Sequence, residues 1–158
     1  CLKAVGKEAS VKALGTVGDT CILGANFGEF GGALFRWRET GPENLSGRDG
    51  FLNPIALVAR GREVLVVSGV HHMMGSGALG RISRDDGATF VYERLMRFEA
   101  VPVAWAVDGE RLVMSFEATE FSSPCRNAKA EATFIYEADG SFSVAQSPAT
   151  ACLWPAVK

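Results

Sequence analysis

The chain has no surplus of charge of either sign. Its 16 Lys and Arg are set against 18 Asp and Glu, for a net charge of −2. The basic residues, among them Arg36, Arg38, Arg60, Arg62, Arg81, Arg84, Arg94 and Arg97, are scattered along the sequence. A nucleic acid needs a concentrated positive face, so it is excluded as the main partner. No apolar run approaches the roughly 20 residues of a spanning helix, and there is no low-complexity segment. Histidine is almost absent: only His71 and His72 occur. Neighbouring side chains on an extended strand point to opposite sides, so a metal held there would need acids from another loop, such as Glu29 or Glu117. The reading taken is one buried imidazole, one solvated imidazole and no metal. Met73-Met74 fills a packing gap in that reading. The four cysteines, Cys1, Cys21, Cys125 and Cys152, contain no Cys-x-x-Cys and no zinc spacing. No cofactor is expected either. Gly75-Ser76-Gly77-Ala78-Leu79-Gly80 matches Gly-x-Gly-x-x-Gly, but it leads into a strand, where the helix terminus that binds phosphate is missing.

What the chain does have is hydrophobic residues at 47% and 18 glycines, a composition suited to a soluble β-domain with one core. It also repeats. Gly32-Ala33-Leu34-Phe35-Arg36, Gly77-Ala78-Leu79-Gly80-Arg81 and Glu131-Ala132-Thr133-Phe134-Ile135 are extended segments that each run into a Gly-containing turn. Upstream of them, Gly18-Asp19, Gly61-Arg62 and Gly109-Glu110 each open another apolar strand, and a further apolar run precedes each turn. A period of about forty to fifty residues, with four strands per unit, is the layout of a propeller blade. The fold class expected is therefore all-β and propeller-like. One β domain over 1–158 would carry about three four-stranded antiparallel units, near 11–50, 54–97 and 101–147. In the first unit Gly41-Pro42-Glu43-Asn44 stands where the fourth strand should be and makes a poor strand. Propellers carry about four to eight blades. Three units therefore imply a longer chain, a six-bladed ring closed by two copies, or an open array; a twisted sandwich is the alternative. The absence of an initial Met favours a processed or truncated chain.

Ser83-Arg84-Asp85-Asp86-Gly87-Ala88-Thr89-Phe90 fits Ser-x-Asp-x-Gly-x-Thr-aromatic. It resembles the Asp-box, or BNR repeat, of sialidases and related propellers, with Ala138-Asp139-Gly140-Ser141-Phe142 as a degenerate copy. The resemblance implies a structural role for Ser83, Asp85, Gly87, Thr89 and Phe90 in the hairpin between third and fourth strands, remote from any catalytic face. A sialidase would need an arginine triad, a Tyr nucleophile and a Phe-Arg-Ile-Pro signature. Phe35-Arg36-Trp37-Arg38 lacks the Pro, and the two tyrosines, Tyr92 and Tyr136, fall on strands as packing residues. Glu29, Asp49, Glu99, Glu117 and Glu120 are the carboxylates from which a glycosidase pair would be drawn. No catalytic set is assembled from them, and the chain is read as not an enzyme.

In blades, the loops from second to third strand and from blade to blade share one face. Here that face is expected to carry Phe27, Glu29 and Phe30, then His71, His72 and Met73, then Glu117, Glu120 and Phe121. Ser46 to Phe51 and Arg97-Phe98-Glu99 would join them. Exposed aromatics and Met make protein-binding surfaces, so these are the candidate partner-binding residues. Cys125 and Cys152 are candidates for a disulfide, and Cys21 is either a buried thiol or the partner of Cys1. Cys1 is a candidate for lipidation, as in a mature bacterial lipoprotein, or a boundary that happens to fall at Cys. The expected setting is periplasmic or extracellular, with a possible lipid anchor and no membrane span. The expected function is a non-catalytic protein-binding module of the cell envelope. One form of it is an immunity protein that blocks an antibacterial effector enzyme delivered by a type VI system. The alternative is a fragment or subunit of a sialidase-like glycan-active or glycan-binding propeller, whose partner would be its own remaining blades.

Overall fold

A computed structural model describes residues 11–47, 52–70, 76–85, 89–98, 100–117 and 131–145. Three four-stranded antiparallel sheets account for nearly all of them. The first sheet has the order β1 (Val11–Val17), β2 (Thr20–Asn26), β3 (Gly32–Arg38), β4 (Gly41–Asn44). The second is β5 (Pro54–Arg60), β6 (Glu63–Val70), β7 (Ser76–Asp85), β8 (Thr89–Phe98). The third is β9 (Val101–Asp108), β10 (Arg111–Glu117), β11 (Glu131–Tyr136), β12 (Phe142–Ala145). Each sheet is filled in chain order, as the propeller-like reading requires. A 3-10 turn, η1 (Gly28–Phe30), joins β2 to β3.

The two-residue hairpins explain why the first two strands of each sheet pair where they do. Val17 faces Thr20, Arg60 faces Glu63 and Asp108 faces Arg111. The intervening Gly18, Gly61 and Gly109 have φ of 56°, 57° and 61°. That left-handed conformation is the one the primed hairpin turns demand, because their twist matches that of the strands. From these turns the pairing runs without interruption until one residue is skipped. The skipped residues are Lys12, Ile55 and Val103, each five residues before the end of its strand. The three sheets thus share a β-bulge at one register position, which is independent structural evidence of the repeat.

β4 corrects the sequence reading. Gly41-Pro42-Glu43-Asn44 does form a strand, pairing Trp37 with Pro42 and Arg36 with Glu43. Proline is tolerated because β4 is an edge, where a missing N–H breaks no second ladder.

The chain divides into two units: Cys1–Ser68 with Ala78–Met96, and Gly69–Gly77 with Arg97–Lys158. In the first, Val17, Ile22, Leu34 and Leu45 of the first sheet and its flanks meet Leu52, Val64, Val66, Ile82 and Phe90, with Leu57 and Tyr92 against them. Gly15 admits this approach, since a Cβ there would lie 3.0 Å from Leu57 Cβ. In the second unit, Leu112, Met114 and Phe116 alternate inward from β10. They meet an aromatic cluster in which Phe98 lies 4.5 Å from Phe116 and 5.2 Å from Phe134 between ring centroids. Phe142 extends it, 5.0 Å from Phe134 and 4.8 Å from Tyr136. Such tilted and edge-on pairs add about 0.5–1.5 kcal/mol each beyond area burial. Phe98 was expected on the loop face; it is a core residue, 2% exposed, packed on Phe116, itself 3% exposed.

A close backbone approach marks the entry to the second and third sheets. A Cβ on Gly32, at the start of β3, would lie 2.5 Å from the Leu52 carbonyl oxygen and 3.1 Å from Pro54 Cδ. A Cβ on Gly77, near the start of β7, would lie 2.7 Å from both the Ala100 oxygen and Pro102 Cδ. Leu52 and Ala100 are the residues two before the prolines that lead into β5 and β9.

Candidate functional site

The loop from β2 to β3 places Phe27, Glu29 and Phe30 together at the surface. Phe30 is 88% exposed and Phe27 51%. Despite that exposure the loop backbone is held. Asn26 accepts the Gly28 N–H at its Oδ1 (2.8 Å) and donates from Nδ2 to the Pro54 carbonyl (3.3 Å). Phe27 N–H donates to the Gly31 carbonyl at 2.8 Å, and Gly31 N–H to the Gly28 carbonyl at 3.1 Å. Gly31, at φ 88° and ψ −158°, occupies a region essentially reserved for glycine. The loop is thus a closed, internally bonded turn that carries two aromatic rings and one carboxylate outward. Asn26, which holds the loop, is a residue that sequence reasoning did not single out. The signal was available, since Asn two residues before Gly is an Asx-turn pattern.

Glu117 is the last residue of β10, paired with Glu131 and Val101. His71, His72, Met73, Glu120 and Phe121 lie outside the described residues, as do Gly87, Cys1, Cys125 and Cys152. Of the hairpin residues in the second sheet, Ser83 and Asp85 end β7, while Thr89 and Phe90 open β8. Phe90 is buried, and the guanidinium carbons of Arg36 and Arg84 lie 5.0 and 6.0 Å from its ring centroid. In the third sheet the turn at Asp139 is explicit. Asp139 Oδ1 accepts the Ser141 N–H at 2.8 Å, Gly140 sits at φ 85°, and Glu137 N–H donates to the Ser141 carbonyl at 2.9 Å. Bonding from the Ser141 side chain and backbone holds the Asp139 carboxyl below its ordinary value.

Five of the described arginines engage protein carboxylates. Arg36 and Arg38 both engage Glu43. Arg60 and Arg81 engage Glu63, and Arg81 also reaches Glu93 at 2.6 Å. Arg111 engages Glu137 at 3.0 Å. Arg36 is 8% exposed, so the Phe35-Arg36-Trp37-Arg38 segment is a strand braced on β4. Tyr136 is buried in the aromatic cluster and Tyr92 is half-buried on β8. Among the described residues there is no free cysteine and no group of three or more metal-ligating side chains. No helix among them is long and apolar enough to cross a membrane.

A second exposed apolar surface lies on β9, where Val103, Trp105 and Val107 are 49%, 41% and 55% exposed. No protein family, no curated protein and no solved structure matches the chain.

Proposed function

We propose that this protein is a non-catalytic protein-binding module and that the Phe27–Glu29–Phe30 loop is its contact surface. The observation that carries this reading is the pairing of high exposure with a fixed backbone. Two large aromatic rings are held in water by a loop whose hydrogen bonds are already made. An aromatic anchor presented without ordering cost is what binding hot spots use. Glu29 between the rings adds a carboxylate for a basic rim on the partner.

The setting we propose is the cell envelope, with an effector enzyme as the partner of an immunity protein. Cys21 as a disulfide cysteine favours an oxidising compartment. A thiol is used once, so a Cys1 joined to Cys21 is not also the acylated cysteine of a lipoprotein. Peptide mapping without reduction separates these two forms of the proposal.

Affinity capture with the wild-type chain, followed by titration of the captured protein, tests the reading. Phe27→Ala with Phe30→Ala is expected to weaken binding about tenfold or more, and Gly31→Ala to weaken it with both rings retained. Unchanged affinity in the double variant would remove the loop from the function. The alternative, a piece of a sialidase-like glycan-binding propeller, draws on the three four-stranded units. It predicts saturable binding to sialosides or other glycans by the isolated chain.

A further inference from the structure

Sheet edges are normally guarded by charge, proline, shortness or cover, because an open edge pairs with other chains. The described edges of this protein are guarded in those ways, one by one. β4 carries Pro42 and Glu43, β8 carries Glu93, Arg94 and Arg97, and β12 is only four residues long. β1 and β5 lie against one another.

β9 is the exception. Among the described residues it is the outer strand of the third sheet, bonded to β10 on one side only. From Val103 to Val107 it holds no charge, no proline and no glycine. Every residue of that stretch is exposed. An apolar, β-branched and aromatic strand in this position is an open pairing site.

Its sequence also says what fits it. Val103-Ala104-Trp105-Ala106-Val107 reads the same in both directions. Two antiparallel copies centred on Trp105 set Trp105 against its own counterpart, Ala104 against Ala106, and Val103 against Val107. Trp105 and Val107 then share one face and the alanines the other, with Val103 at the bulge. Like opposes like throughout, in the aromatic and β-branched cross-strand pairs that stabilise sheets. A two-fold axis sets each residue against its mirror position in the second copy, so the palindrome makes every opposed pair one of identical residues, which an unrelated strand does not supply. The match also ends cleanly, because Pro102 would oppose Asp108 and has no N–H to continue the ladder.

We propose that β9 is a homodimerisation strand. Two copies of this chain join edge to edge, antiparallel about Trp105, and their third sheets become one continuous sheet. The contact is separate from the β2–β3 loop and does not depend on its role.

Sedimentation equilibrium over a wide concentration range tests this, with hydrogen exchange on the wild-type chain at the two ends of the range. The expected result is a reversible monomer–dimer equilibrium in which the amides of 103–107 gain protection with concentration while β4 and β8 do not. Trp105→Lys and Trp105→Glu should each be monomeric where the wild type is dimeric. An equimolar mixture of the two should recover the dimer, since opposite charges then meet at the axis. A chain that stays monomeric throughout overturns the proposal. So does a dimer that forms without protection in β9, or a mixture of the charge variants that fails to associate while both retain wild-type circular dichroism. Should either variant misfold, the wild-type exchange experiment decides by itself.

Discussion

The ring of Tyr92 on β8 lies directly on Gly80 of β7. A Cβ on Gly80 would stand 2.4 Å from Tyr92 Cε2 and 2.6 Å from its hydroxyl oxygen. The aromatic covers the gap that a glycine leaves in a strand, the pairing known from sheets as aromatic rescue. Gly80→Ala is therefore expected to push the ring off β7 and to destabilise the protein by about 1–3 kcal/mol. Tyr92→Ala removes the obstacle, so the double variant should cost clearly less than the sum of the two singles. Urea midpoints for the four proteins check this; simple additivity would show that the two residues do not couple.

Gly32→Ala and Gly77→Ala should be worse. The obstacles there are carbonyl oxygens of the backbone and proline rings, which yield less readily than the tip of a side chain. A loss of about 3 kcal/mol or more is expected at each. Glu131 occupies the position in β11 that Gly32 holds in β3, since Glu117 pairs with Glu131 as Asn26 pairs with Gly32. The third sheet carries Glu rather than Gly at that position, so Glu131→Gly should bring no gain in stability. Thermal denaturation of the three variants side by side is the measurement.

Arg36 is nearly buried, stacked near Phe90 and bonded to Glu43 through Nε at 2.7 Å. Glu43→Ala leaves that charge without its acid, whereas Arg36→Met keeps an apolar stem against Phe90. Glu43 is 42% exposed, and water screens its share, so the expected cost of Glu43→Ala is about 1–2 kcal/mol. Arg36→Met is expected to cost less, because it removes the buried charge itself and leaves a Glu43 that is 42% exposed and still paired with Arg38. Chemical denaturation of both variants tests the order; a milder Glu43→Ala would contradict it.

The Asp139 turn predicts a pH dependence with a definite sign. Its carboxyl is held below 3.8 in the folded chain by the bonds to Ser141. Its stabilising effect is therefore complete above the unfolded value and fades as the pH falls through the lower, folded value. The melting temperatures of the wild type and Asp139→Ala should differ at neutral pH and converge in acid once the folded carboxyl is protonated. A gap that persists in strong acid would mean that the turn is held by something other than the ionised carboxylate.

Much of the architecture could be read from the residues. The Gly-Asp, Gly-Arg and Gly-Glu turns punctuate apolar runs, and their glycines have the positive φ that such hairpins need. β4 was obscured because four residues with a proline have little strand propensity of their own. The strand exists because β3 offers a partner and Arg36 and Arg38 a charge for Glu43. Phe98 was assigned to the loop face because hydrophobicity in a sequence does not say which side of the backbone a ring will take. β9 shows the same limit in reverse. Val-Pro-Val-Ala-Trp-Ala-Val has the composition of a central strand, yet it lies at an edge. The β2–β3 loop was legible as a surface segment, but its rigidity was not, since that depends on a bond from Asn26 to the distant Pro54 carbonyl.

The three Gly-x hairpins have a practical consequence for anyone wishing to probe the molecule. Gly18, Gly61 and Gly109 stand in open space, with no neighbouring atom where a Cβ would be. Each lies beside an exposed or half-buried polar residue. A short epitope, a fluorophore acceptor peptide or a split-reporter fragment spliced between the two turn residues would leave every strand register intact. One insertion site per sheet makes the three sheets separately addressable, so their order of assembly during refolding can be followed one reporter at a time.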